Sequence, residues 1–193
     1  MPDPVLYLLA GPNGAGKSTL YDKVIGPTTH LEFVNADLIA TERWPEDATG
    51  KAYEAAAIAA RRRSQLIEAR VSFVTETVFS HESKLDLVHD AVDAGYLVTL
   101  HVVMVPEALA VARVASRVGV GGHAVPEEKI RERYARLWPL VASAVGVVDA
   151  ARVYDNSRAT DPLRVVASFE RGWIVGHVEW PSWTPNALRS AGR

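Results

Sequence analysis

The sequence predicts an α/β fold: a parallel sheet of about five to six strands with helices on both faces. Three observations carry this expectation. Short, continuous apolar runs alternate with helix-forming stretches along the whole chain, the pattern of parallel strands joined by helical crossovers. The runs are apolar throughout rather than alternating, as strands buried on both faces require. A glycine-rich loop lies between the first such run and the first helical stretch.

In chain order, Val5–Ala10 reads as the first strand, and helix follows from Ser18. "LEFVNAD" (31–37) reads as a short second strand ending in an acid. Residues 48–70 are rich in alanine and other good helix formers. "VSFVTE" (71–76) is a third strand; "HESKLDLVHDAVDAG" is an amphipathic helix with Leu85, Val88 and Val92 at helical spacing and Gly95 as its C-terminal stop. "YLVTLHVVMV" (96–105) is a fourth strand, and Pro106 opens a helix running to Val118. The glycine-rich "GVGGHAVPEE" precedes a further helix, expected to break near Pro139. "ARVYDNS" (151–157) is a fifth strand with its exit loop, and "GWIVGHV" a candidate sixth. The tail "EWPSWTPNALRSAGR" (179–193) lacks a clear period and is expected to cap the domain or stay loose.

The 193 residues suit one domain spanning 1–193, with 48% hydrophobic and 23% charged residues and a net charge of −2. That balance carries no basic footprint for nucleic acid and no membrane-surface patch. The chain has no cysteine, which excludes disulfides, zinc–thiolate sites and a thiol nucleophile. The N-terminus shows no basic leader, and the longest apolar runs, about ten residues, are too short to span a bilayer. The expectation is a cytoplasmic protein that binds neither nucleic acid nor membrane.

"GPNGAGKST" matches G-x-x-x-x-G-K-[ST] from Gly11 to Ser18. Gly11, Pro12, Asn13, Gly14, Ala15 and Gly16 form a loop whose N–H groups turn inward around phosphate oxygens. Lys17 brings a positive charge to the β and γ phosphates, Ser18 can hold Mg²⁺, and Thr19 follows in the first helical turn. The wording is shared with transporter ATPases. However, the chain has neither an LSGGQ-type signature nor a strand ending in Asp-Glu, and it lacks the N-K-x-D guanine reader of GTP switches. A motor would be longer. What remains is a small P-loop kinase with ATP as co-substrate.

In open parallel sheets ligands bind beyond the carboxyl ends of the strands. There stand the loop, Asn35 and Asp37, Glu76 and Thr77, and Asp155 with Asn156. Asp37 suits a general base that accepts the proton of an acceptor hydroxyl; equally, it can cap the helix "DLIATE". Glu76 suits a magnesium or acceptor contact, and pairing with a lysine is the structural alternative. A resemblance to nucleoside monophosphate kinases, whose folds pass the adenine at the segment matching 155–157, implies an ATP contact for Asn156. Arg113 and Arg117 share a helix face opposite Val111, Val114, Ala115 and Val118. With Arg131 and Arg133, off the stripe Ile130, Tyr134, Leu137 and Val141, they would form a lid over about 113–136, closing on the transferred phosphate. His123 is expected to be an exposed loop residue. The run Arg61–Arg63 reads as a solvated face, or as a contact for an anionic substrate.

Together, "AGPNGAGKST", "FVNAD", "FVTET", "RVASRVGVGGHAVPEEKIRERY" and "VYDNS" resemble the zeta toxin family over roughly residues 5–175. The resemblance implies a P-loop kinase fold that phosphorylates the 3′-hydroxyl of UDP-N-acetylglucosamine with ATP and Mg²⁺, and an antitoxin partner. It casts Lys17 as the phosphate-binding lysine, Asp37 as the general base, Glu76 as the substrate-strand acid and the lid arginines, Arg117 among them, as the phosphate clamp. Relatives tend to carry Glu-Thr-Thr where this chain has Glu76-Thr77-Val78. The missing hydroxyl leaves the acceptor open: a nucleotide sugar, another metabolite, a nucleoside or an antibiotic. A nucleotide-binding regulatory module, docking a partner protein through Trp180 and Trp183, is the alternative of a different class.

Overall fold

The computed structural model describes residues 2–118 and 125–192, except for the side chains of Arg117 and Val118. Seven strands form one sheet: β1 (Val5–Ala10), β2 (Glu32–Val34), β3 (Phe73–Thr77), β4 (Leu97–Met104), β5 (Ala150–Asp155), β6 (Arg164–Glu170) and β7 (Trp173–Ile174). Their order is β2-β3-β1-β4-β5-β6-β7. The first five in that order run parallel, whereas β6 and β7 add on antiparallel. β6, which the sequence reading passed over, hydrogen-bonds along most of β5, and the candidate sixth strand contracts to the two-residue edge β7.

Helix α1 (Lys17–Leu20) continues through a π-helical stretch, Tyr21–Ile25, into α2 (Gly26–Thr29). Then come α3 (Ala36–Arg43), α4 (Ala52–Glu68), α5 (Ser83–Asp93), α6 (Glu107–Val118), α7 (Glu127–Val145) and α8 (Asn186–Arg189). Strand parity divides the core in two. Leu6, Leu8 and Ala10 of β1 face a large cluster with α4, α5, α7 and α8, including Leu66, Val88, Leu137 and Leu188. Leu9 joins Val74, Val103, Leu20 and Ala110 on the opposite face, under α1 and α6.

Two expectations are corrected, and for the tail the capping alternative is the one observed. α7 runs unbroken through Pro139. Proline deletes one backbone donor, but Leu137, Trp138 and Val141 on either side are buried and anchor the helix across the gap. The tail is not loose: Leu188 is fully buried, and Trp180 and Trp183 pack against the larger cluster. On α6, Ala115 faces outward, and Ala110 takes the buried place beside Val114.

His101, on β4, lies between the rings of Tyr7 and Tyr154 and shares a 3.0 Å hydrogen bond between Nδ1 and the Tyr154 hydroxyl. Burial, helped by Arg152, lowers its pKa to about 4. The unfolded chain therefore binds a proton below about pH 6.5 that the folded chain refuses until about pH 4. Stability should fall as pH drops through this window, by up to about 3 kcal/mol at its lower end. Urea titrations at pH 7 and pH 4.5 should show the loss in the native chain and a smaller one in His101→Phe.

Candidate active site

Strand parity builds the site. Val74 points to the α1 face, so Glu76, two residues on, does the same and meets the phosphate loop leaving the neighbouring β1. The Glu76 carboxylate accepts hydrogen bonds from Ser18 Oγ (3.0 Å) and Asn35 Nδ2 (3.1 Å), and pairs with Lys17 Nζ at 3.6 Å. The buried Lys17 ammonium also donates to the Gly11 and Pro12 carbonyls at 3.0 and 3.1 Å. The pairing alternative for Glu76 thus turns out to be pairing with the loop lysine itself.

The loop is locked from behind. Asn156 donates to the Ala15 carbonyl at 2.8 Å, and its Nδ2 lies only 2.4 Å from where a Cβ on Gly16 would stand. Gly16 also has φ +97°, so only glycine fits. Arg113 spans from the Gly14 carbonyl (3.4 Å) to that of Asn156 (3.0 Å). A cleft of about 410 Å³, lined by Gly14, Lys17, Thr19, Arg113, Ser116 and Asn156, opens on this side of the loop. The buried Asn156 side chain donates to the loop backbone and accepts from the Leu163 amide at 3.3 Å.

On the other side a cleft of about 310 Å³ holds Asn13, Asn35, Asp37, Glu76, Thr77 and Arg133, with Lys17 and Ser18 shared between the two. β2 ends at Val34, earlier than expected, and Asn35 caps α3 by accepting from the Asp37 and Leu38 amides at 2.7 and 3.3 Å. Asp37 is therefore not the cap. It stands exposed in the first turn of α3, its carboxylate left over for the cleft. Thr77 Oγ1 accepts from the Phe79 amide at 3.2 Å, bracing a turn in which Phe79, fully buried, adopts φ +64°. Such a backbone costs about 1–2 kcal/mol for a residue with a Cβ. It swings Val78, Ser80 and His81 onto the cleft.

Arg131 donates to Glu127 (3.0 and 2.8 Å) and to Glu107 (3.1 Å), linking α7 to α6, and does not line either cleft. Arg133 does line the cleft. Arg117 and His123 lie outside the described side chains. The "RRR" run separates into three fates: Arg61 is exposed, Arg62 grips Glu32 at 2.6–2.7 Å, and Arg63 is buried at the cleft, 7% exposed. Ser80, His81 and Lys84 are cleft residues the motifs did not point to, and Arg63 was singled out only within the run Arg61–Arg63. For Arg63 the available signal was its spacing in the buried stripe Ala55, Ala59, Arg63, Leu66.

The donor set at Ser18 and Glu76, a hydroxyl touching a carboxylate, consists of hard oxygens and suits Mg²⁺. No cluster of three His, Cys, Asp or Glu is present among the described residues. Nor is any helix among them long and apolar enough to cross a membrane.

Residues 6–140 match a family described as an AAA domain. No curated protein matches the chain in sequence. Among solved structures, the fold is similar to AvrRxo1-ORF1 in its complex with ORF2 and ATP (TM-score 0.70, 19% identity, 90% of this chain and 60% of that one). It is also similar to the PezAT chromosomal toxin-antitoxin system of Streptococcus pneumoniae (TM-score 0.60, 12% identity, 87% and 72%). A third likeness is to the Pnkp1/Rnl/Hen1 RNA repair complex (TM-score 0.60, 20% identity, 74% and 47%). The chain thus spans only 60% of the AvrRxo1-ORF1 chain it resembles. At these identities the likeness is one of fold alone.

Proposed function

This chain belongs to the AAA-domain family, and from that premise we propose that it is an ATP-dependent kinase of a small hydroxylated molecule, of zeta toxin type. The observation that carries this reading is the Glu76 hub. One carboxylate gathers Lys17 and Ser18 of the phosphate loop with Asn35, the residue that caps the helix bearing Asp37. Phosphate grip and acceptor acid are thereby tied into one hydrogen-bonded unit. Mere nucleotide binding needs no such link.

In this reading the loop amides and Lys17 hold the ATP phosphates, with Arg113 bracing the loop. Ser18 and Glu76 would hold Mg²⁺, which when bound offsets charge on the phosphate oxygens. The acceptor hydroxyl lies in the Asp37 cleft. Its oxygen forms a bond to the γ-phosphorus, the bond from that phosphorus to the β–γ bridging oxygen breaks, ADP leaves, and Asp37 takes the hydroxyl proton. Arg133, joined by Arg117, offsets charge on the transferred group.

UDP-N-acetylglucosamine is the first candidate acceptor, with other metabolites, nucleosides or antibiotics behind it. An antitoxin protein is the proposed partner, in keeping with the toxin-antitoxin system among the similar folds. The alternative is a nucleotide-binding regulatory module; against it, Trp180 and Trp183, its docking segment, are partly buried against the core. The test is mass spectrometry of a metabolite extract, with UDP-N-acetylglucosamine run separately, after incubation with protein, ATP and Mg²⁺. A gain of one phosphoryl group on an acceptor, absent without protein, is expected. No such gain in either sample, from protein shown to bind ATP, would remove the kinase reading.

A further inference from the structure

The acceptor cleft has a charged wall that transfer chemistry does not require. Ala52, Ala56 and Arg63 stand at positions i, i+4 and i+11 of α4 and all line the cleft. The alanines leave room, and the arginine ends the row. Lys84, near the start of α5, lines the same cleft and is half-buried. Arg133, the one cation of this wall already assigned to the transferred group, enters from α7. Across from them stand two acids. Glu76 is occupied by Lys17, Ser18 and Asn35, and Asp37 is the acid assigned to the acceptor hydroxyl.

A buried cation without a counterion is costly. In contrast to Arg63, its helix neighbour Arg62 is neutralised by Glu32, and Arg131 by Glu127 and Glu107. Arg63, at 7% exposure, has neither hydrogen bond nor ion pair among the described residues, and the same holds for Lys84. Burial lowers the pKa of each, and on Lys84 the nearby Arg63 charge adds to the effect. The two cations thus stand close enough to repel and are paired with nothing. Such an arrangement is kept where a ligand supplies the missing negative charge.

We propose that Arg63 and Lys84 form an anion subsite in the acceptor cleft, so that the acceptor carries a phosphate or carboxylate group besides the hydroxyl it offers. This rests on the kinase reading only for the word acceptor; the subsite itself is a binding property. A planar guanidinium that can bond two oxygens, beside a point-charge ammonium, matches a phosphate most closely.

Calorimetry tests it. The protein is first saturated with Mg²⁺ and a non-hydrolysable ATP analogue, so that the phosphate loop is filled. It is then titrated with inorganic phosphate and, separately, with acetate. One saturable phosphate site is expected, weakened at least ten-fold in Lys84→Gln and in Arg63→Gln. Acetate binding with the same losses would assign a carboxylate as the group recognised. Because Arg63 lies in the buried stripe of α4, its variant is read only if its melting curve stays cooperative; Lys84→Gln, half-exposed, carries the test otherwise. No saturable binding of either anion in the native chain, or equal binding in native and Lys84→Gln, overturns the proposal. Saturable, variant-sensitive binding in a protein that phosphorylates nothing in the metabolite screen keeps the subsite and discards the kinase.

Discussion

Asp37→Ala should lower turnover by about 10²- to 10⁴-fold while leaving ATP affinity within about two-fold, the range a positioned general base supplies. The separation of the two effects follows from the local geometry. Asp37 makes none of the bonds that hold Lys17, Ser18 and Glu76 together, so the phosphate grip should survive. Nor is Asp37 needed to start its own helix, because Asn35 caps α3. The variant gives up only a favourable carboxylate in a first helical turn, about 0.3–1 kcal/mol. Turnover is measured on the acceptor found by mass spectrometry, and ATP affinity by calorimetry. Asp37→Asn, which keeps the shape and a hydrogen-bonding oxygen, should be nearly as inactive if the carboxylate takes a proton. Turnover within ten-fold of native in Asp37→Ala would end its role as base.

Which parts of this site were visible in the sequence depends on how far each relationship reaches along the chain. The phosphate loop was legible because its chemistry is local: glycines, Lys17 and Ser18 lie within eight residues of one another. Asp37 and Glu76 were legible as acids close to strand ends, but not as partners or strangers to that loop. The Ser18–Glu76 contact joins positions 58 residues apart and exists only because β3 lies beside β1. Asn35 was placed in the site, yet its capping role went to Asp37 by default, because the end of β2 was read three residues late. Arg131 and Arg133 look alike in sequence. Two positions apart on a helix they point in directions about 200° apart, and only the packing of α6 beside α7 decides which one meets Glu107. The same holds for Arg61–Arg63, where one of three identical residues turns inward. In the fold, the buried parallel strands announced themselves as apolar runs. β6 did not, since Arg164, Ser168 and Glu170 interrupt it, and what makes it a strand is pairing with β5.

Glu76→Gln should cost about 10²- to 10³-fold in turnover, raise the Mg²⁺ concentration for half-maximal activity about ten-fold, and destabilise the fold by about 1–3 kcal/mol. The carboxylate is acceptor-only and receives three donors: the Lys17 ammonium, the Ser18 hydroxyl and the Asn35 amide. A glutamine of the same shape replaces one accepting oxygen with an NH₂ group, so at least one donor meets a donor, and the buried lysine loses its counter-charge. Both halves of the site then move. Ser18 loses the partner with which it would hold the metal, and Asn35 loses the bond that orients the cap of α3, on which Asp37 rides. This predicts a signature that loss of stability alone would not produce. Asp37→Ala should leave the Mg²⁺ dependence unchanged, whereas Glu76→Gln should shift it, and Glu76→Asp should recover part of the Mg²⁺ response because the charge is restored on a shorter arm. Initial rates across a Mg²⁺ titration, with thermal melts alongside, decide the matter. A lower melting temperature with native turnover and native Mg²⁺ dependence in Glu76→Gln would reduce Glu76 to a structural brace and break the link between phosphate grip and acceptor acid.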